Sequence, residues 1–393
     1  MRFLRRISTR RLLTLCAAVL AVAIGTTAVT MATAGDGPKL ALEPLPVAVH
    51  DALTAPSVPG ISARIQFTNH LIDAAGVQGS DPLLSGASGR LWASPDGKLR
   101  LELQSEGGGG DSQVLVDEGR FKIYDGSSGT VYRGTLPNGN DSSGGPDSHQ
   151  PPSLEQVQQA IASLGEHATL NGATPSDVAG QPTYTARIEP KSNGGLLGGA
   201  EVAWDAVHGA PLRAAVYAKG DSSPVLQLEA TEVSFEAVPS SVFKISPPRG
   251  TKVVDLSPPS ESSGEGHEAS PVTGIAAVQK QLGFQLAAPD SLAGMAQVEV
   301  RAIGVGDKAG ALVTYGQGLG GIAVIESPSG PSGGQGASGP GGLSLPKVSI
   351  DGTGAEELET ALGTVLRFSR GGVDYTVAGS VPPATAEAAA RGL

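Results

Sequence analysis

The chain has 393 residues, of which 39% are hydrophobic, with 56 glycines, 29 prolines and a single cysteine. That length accommodates two domains, and the glycine and proline excess belongs in linkers and loops. The formal charge is −11, from 27 basic and 38 acidic side chains. Five of the basic ones are arginines within the first 34 residues, which hold no acid, so the rest is more acidic still and repels nucleic acid.

The chain opens on the basic stretch MRFLRRISTRR, followed by an uncharged apolar run from Leu12 to Ala34. The small-x-small sequence ATA before Gly35 has the form of a signal-peptidase site, and the run is also long enough to span a bilayer. Two readings stand for residues 1–34: a signal peptide cleaved after Ala34, or an uncleaved membrane anchor. The basic flank places the body outside the cytoplasm in either case, exported to the cell envelope and membrane-anchored or secreted. Leu15 is not the small residue that lipoprotein processing needs before Cys16. The body holds no cysteine, so it has neither disulfides nor thiol chemistry and relies on its hydrophobic core.

After a short tether, residues 35–41, the pattern predicts a helix over 45–55 and then period-two alternation. ISARIQFTN (61–69) places Ile61, Ala63, Ile65 and Phe67 on one face, and KLRLELQ (98–104) does the same with Leu99, Leu101 and Leu103. SQVLVDEGRFKIYDGSSGTVYRG (112–134) reads as three strands joined by hairpin turns. The polar stretch 138–153 reads as a loop. SLEQVQQAIASL (153–164) predicts a helix with Ser153 as N-cap and Gln156 at capping-box spacing, and with Leu154, Val157, Ile161 and Leu164 on one face. Strands resume through 181–190, 200–206, 211–220 and 223–238, for roughly nine or ten antiparallel strands in a meander. The helix in their midst is expected to lay its apolar face on the concave side of a curved sheet.

The acidic Ser/Gly/Pro stretch 257–271 marks a linker. Beyond it, 272–393 reads as a smaller α+β domain. A helix is expected within 270–284, a three-stranded meander in 296–327, a hairpin turning at Arg370–Gly372, and a terminal helix from Pro382. Residues 327–342 are expected to be a disordered insertion.

No catalytic constellation emerges. The six histidines are scattered, and without body cysteines no structural metal site is expected. GPSGG (330–334) fits a nucleophile elbow but sits in Gly/Ser/Pro text without the strand-to-helix turn that motif requires. GQGLGG (316–321) fits a dinucleotide motif, but a strand follows where a helix is needed, so a glycine hairpin is expected. Asp205 and His208 could form an acid–base pair, whereas DAVHGAP reads more simply as a hairpin connection with Gly209 at positive φ. Several strands are apolar on both faces, which fits either a doubly covered sheet or a greasy cavity.

The order of segments carries a family resemblance over residues 42–256. VAGQPTYTARIEP, the strand–turn–strand VAWDAVHGAPLRAAVY and the closing VPSSVFKISPPRGTKV resemble the LolA-like superfamily, shared by periplasmic lipoprotein carriers and the N-terminal domain of RseB/MucB-type sigma-factor regulators. LGFQLAAPDSL and the C-terminal segment resemble the smaller domain that follows some such modules. The resemblance implies an α+β fold whose curved antiparallel sheet forms an unclosed β-barrel capped by helices, with no cofactor and no enzyme activity. It implies a hydrophobic cavity that binds a lipid or lipoprotein acyl chain, for which Ile65, Phe67, Leu101, Leu103, Val116, Phe121 and Ile123 are the candidate lining residues. The alternative is an RseB/MucB-like sensor that contacts a membrane anti-sigma factor. A second domain and a possible anchor are departures from the soluble carriers that favour sensing or lipid handling at one membrane.

Overall fold

The computed structural model describes residues 40–71, 86–105, 111–117, 119–126, 128–135, 152–192, 194–244, 250–255, 272–305, 308–329 and 345–393. The expectations for the N-terminal segment, the linker, the GPSGG stretch and most of loop 138–153 and insertion 327–342 lie outside them. Among the described residues no helix is long and apolar enough to cross a membrane.

Helix α1 (Leu45–Thr54) precedes strands β1 (Ile61–Asn69), β2 (Ala87–Ala93), β3 (Leu99–Ser105), β4 (Asp111–Asp117), β5 (Arg120–Asp125) and β6 (Thr130–Thr135). Helix α2 (Leu154–His167) runs directly into β7 (Ala168–Leu170). There follow β8 (Thr174–Val178), β9 (Gln181–Pro190), β10 (Leu197–Asp205), β11 (Pro211–Ala218), β12 (Pro224–Ser234) and, after a 3-10 turn at Ser240–Phe243, β13 (Lys252–Asp255). All thirteen strands form one open sheet in the order β13-β6-β5-β4-β3-β2-β1-β12-β11-β10-β9-β7, with β8 beside β7 along the outer side of β9. Two antiparallel meanders are thus joined where β1 meets β12, Ser62 opposite Ser234. One pairing departs from the expected antiparallel pattern: β13 runs parallel to β6.

Alternation gives the sheet an apolar inner and a polar outer face. One core cluster gathers Ala63, Ile65, Ala87, Leu103, Ala203, Leu212 and Ala230, and Val178 at the end of β8 completes it. The sheet curls, because β8 can reach that core only if the β8–β9 hairpin folds over towards β1 and β12. Removing Ile65 or Leu103 from water contributes roughly 1.5–3 kcal/mol each. A second cluster lies under α1, whose Leu45, Ala48, Val49 and Ala52 share one helical face against Ala173, Tyr184, Val202 and Trp204. The outer face carries ion pairs: Arg213 bonds Glu201 across β10 and β11 at 2.8 Å, and Arg187 bonds Glu189 along β9 at 2.8 Å while its guanidinium lies over the Tyr217 ring.

The second unit comprises α3 (Ile275–Gln279), β14 (Ser291–Leu292), β15 (Met295–Val305), β16 (Lys308–Tyr315), β17 (Ile322–Pro328), β18 (Lys347–Ile350), β19 (Thr353–Thr360), β20 (Gly363–Arg370), β21 (Val373–Gly379) and α4 (Pro383–Arg391). Its sheet has the order β14-β15-β16-β17-β21-β20-β19-β18. The glycine hairpin at 316–321 joins β16 to β17, as expected. The helix expected in 270–284 is a single turn and a half, because the Gln279 side chain donates to the Phe284 carbonyl and accepts from the Leu286 amide, folding the chain back. The core is separate from those of the first sheet and includes Ala386, Ala389 and Ala390 of α4. The two units meet at Leu196, whose amide donates to the Ser380 hydroxyl (2.9 Å) and carbonyl (3.2 Å), and at Ala361, whose amide donates to the Leu71 carbonyl (2.8 Å). An open, largely antiparallel sheet with two helices, followed by a second sheet with two helices, is the α+β architecture expected from the sequence.

Candidate functional site

Hydrogen-bond register sets out the inner face row by row. One row runs Ala63–Leu91–Leu101–Val114–Ile123–Tyr132 and the next Ala93–Leu99–Val116–Phe121. A third begins Ile65–Gly89–Leu103 and turns polar at Ser112, Asp125 and Thr130. All seven candidate residues therefore share one face. Gly89 allows β2 and β3 to close there, since a Cβ at this position would lie 1.9 Å from the Glu102 carbonyl oxygen.

The seven do not share one environment. Ile65 and Leu103 are each 4% exposed and belong to the closed core, and Phe67 and Leu101 pack at its margin. Val116, Phe121 and Ile123 are only half-buried and lie outside that core, as do Val114 and Tyr132. At this end of the sheet the usual burial is inverted. Outer-face Leu115 and Val131 are buried, and Phe243 of the 3-10 turn is also buried where the Val242 carbonyl accepts from Arg100 at 2.6 Å. The site is thus a half-covered apolar shelf over β3–β6, continuous with a closed core over β1–β3. Alternation alone marks Val114 and Tyr132 as partners of Leu101 and Ile123, a signal the seven-residue selection missed.

Helix α2 packs on α1 and β7. Its capping box forms as expected, with the Ser153 amide donating to Gln156 Oε1 (2.8 Å) and the Gln156 amide donating to Ser153 Oγ (3.3 Å). The helix buries only Val157, leaving Leu164 43% exposed and Leu154 and Ile161 half-covered. An apolar helical stripe and an apolar shelf are therefore both left partly open to solvent.

Asp205 and His208 do meet, with Nδ1 2.7 Å from Oδ1. Asp205 is 1% exposed, and its Oδ1 also accepts from the amides of Val207 (3.1 Å) and His208 (2.6 Å). Those bonds fold the β10–β11 turn. Gly209 follows at φ +67, and a Cβ there would lie 2.2 Å from the Ala52 carbonyl of α1, so only glycine fits. The His208 ring lies 4.1 Å from Phe235. The carboxylate accepts from two backbone amides and the His208 ring, all within the turn. Among the described residues no group of three or more His, Cys, Asp or Glu side chains is placed to hold a metal ion.

No protein-family profile matches the sequence, and comparison with curated proteins returns no match. Solved structures similar to this chain include MucB in complex with MucA(peri), at 16% identity and TM-score 0.41, covering 88% of this chain and 94% of that one; the MucA/MucB complex of Pseudomonas aeruginosa gives the same figures. A LolA superfamily protein from Nitrosomonas europaea is similar at 8% identity and TM-score 0.21, over 52% of this chain and 98% of that one.

Proposed function

We propose that this chain is a non-enzymatic cell-envelope protein whose inner sheet face binds an acyl chain of a lipid or lipoprotein. The half-covered shelf formed by Leu99, Leu101, Val114, Val116, Phe121, Ile123 and Tyr132 carries the reading. A contiguous apolar face left partly open marks a binding surface in a soluble domain. It has the elongated, unspecific apolar character that methylene chains need, at about 0.8 kcal/mol per buried CH₂. Helix α2, with its own half-bare stripe, is the element available to cover a bound chain. Ile65 and Leu103 serve as the floor that supports the shelf, and Phe67 and Leu101 as its border. The N-terminal segment brings the domain to the membrane, as a cleaved signal or as a retained anchor.

Mass spectrometry after organic extraction of the purified protein tests this reading, with co-purifying lipid as the expected result. Ile123→Asp should abolish lipid retention while leaving the thermal midpoint nearly unchanged, because its side chain lies outside the closed core. Retention equal to wild type would overturn the assignment.

The second reading is a sensor that regulates a membrane anti-sigma factor through protein contact. It is favoured by the separately cored second unit, hydrogen-bonded to the first at Leu196 and Ala361, which a shuttle does not need. A crosslinked pulldown from the native membrane checks it, the expected product being a membrane-spanning anti-sigma factor.

A further inference from the structure

The outer face of the large sheet carries a second feature, on the side opposite the shelf. One row across four strands reads Glu232–Arg64–Arg90–Glu102, with the two arginines directly opposite each other. Like charges facing across a strand pair are destabilising, so this pairing costs the fold something. The acids at either end do not neutralise it. Glu102 is bonded to Arg100, which also donates to Gln113 at 3.3 Å and to the Val242 carbonyl. Glu232 is 3.0 Å from Arg64, but their side chains are 68% and 60% exposed, and such a surface pair is worth about 0–1 kcal/mol. Arg90 is exposed and makes no ion pair among the described residues. Elsewhere on this face Arg187 and Arg213 each have a carboxylate.

Two hollows flank the arginine pair, and Arg64 and Arg90 line both of them. One, of about 300 Å³, is bordered by Ser62, Trp92, Ser234 and the acidic Glu232; the other, of about 480 Å³, by Gln66, Ser88, Gln104, Thr231 and Glu102. The register between β1 and β12 slips between Arg64 and Ile65, leaving Thr231 as the extra residue of a bulge. Bulges re-aim side chains and gather near functional sites.

We propose that Arg64 and Arg90 form an anion site for a phosphate group, carried either by a soluble phosphorylated compound or by a lipid headgroup. Two guanidinium forks present paired N–H donors to tetrahedral oxygens, and the surrounding hydroxyls and amides supply neutral donors. Glu232 swings into solvent when the phosphate takes its place on Arg64. The site stands independently of the acyl-chain reading.

The test is calorimetric titration of the full chain with inorganic phosphate at low ionic strength, beside sedimentation with phosphatidylcholine vesicles with and without phosphatidic acid. Saturable phosphate binding is expected, at least tenfold weaker in Arg90→Gln and partly restored in Arg90→Lys, with Lys122→Gln on the same face unchanged. Additional Arg90-dependent sedimentation with phosphatidic acid identifies a headgroup as the source; phosphate binding without it identifies a soluble compound. Absence of saturable phosphate binding, or an equal loss in Lys122→Gln, overturns the site.

Discussion

Two buried carboxylates show how environment decides a residue's role. The Asp205 carboxylate makes its hydrogen bonds within its own turn, so Asp205→Ala leaves the Val207 and His208 amides without their acceptor. The expected loss is about 1–3 kcal/mol in urea unfolding, whereas His208→Ala should change stability slightly and nothing else. Glu326 on β17 is fully buried. Its Oε2 accepts from the Ala287 amide at 3.0 Å, its Oε1 has no partner among the described residues, and burial pushes its pKa up from 4.5 to about 7. Tyr375 stands opposite it on β21, and both Tyr315 and Tyr375 feel its charge, with Arg370 acting on Tyr375 in the opposite sense. Below pH 4.5 the carboxyl is protonated in both folded and unfolded chains. Between 4.5 and 7 the unfolded chain ionises first, so stability falls as pH rises through that window, by roughly 3 kcal/mol in total. Unfolding of the second unit followed from pH 4 to 8 should show this slope, and Glu326→Gln should flatten it while keeping an acceptor for Ala287.

Helix α2 and the strands beneath the shelf differ in how firmly they are held. The helix buries one side chain, so its capping box carries a large share of its order. Ser153→Ala should cost about 1 kcal/mol locally, seen as faster amide exchange confined to residues 154–167 rather than as a lower global midpoint. Strand β1 was legible to the residue because its alternation is strict. Strands β7 and β8 were not, being short and held by β9 rather than by any pattern of their own. Strand β19 contains Ala355, Glu356, Glu357 and Leu358, which favour a helix by composition. It is a strand because Ala355 and Glu357 face inward between β18 and β20. The candidate site was half legible for the same reason. Alternation put Ile65 and Ile123 on one face, but only the curl that carries Val178 over the first of them separates closed core from open shelf, and a contact so distant in sequence leaves no local trace.

The two units have cores that share no residue, and among the described residues few hydrogen bonds join them. Residues 272–393 expressed alone should therefore fold cooperatively, and calorimetry of the full chain should resolve two transitions. A single transition lost on Ser380→Ala would instead show that the contact with Leu196 couples them. The first unit itself is two local meanders, β1–β6 and β8–β12, joined by the long-range pairing of β1 with β12, with β13 added to the far edge beside β6. That seam has a kinetic consequence. Pairings between sequence-distant strands form slowly, because the loop between them must be ordered first. Ser62 waits for Ser234, so the half-barrel cannot close until nearly all of the first unit exists as free chain. A refolding trace should show a fast phase for the meanders and a slow one for the seam, and a chain ending before β12 should stay open, its apolar shelf and core exposed together.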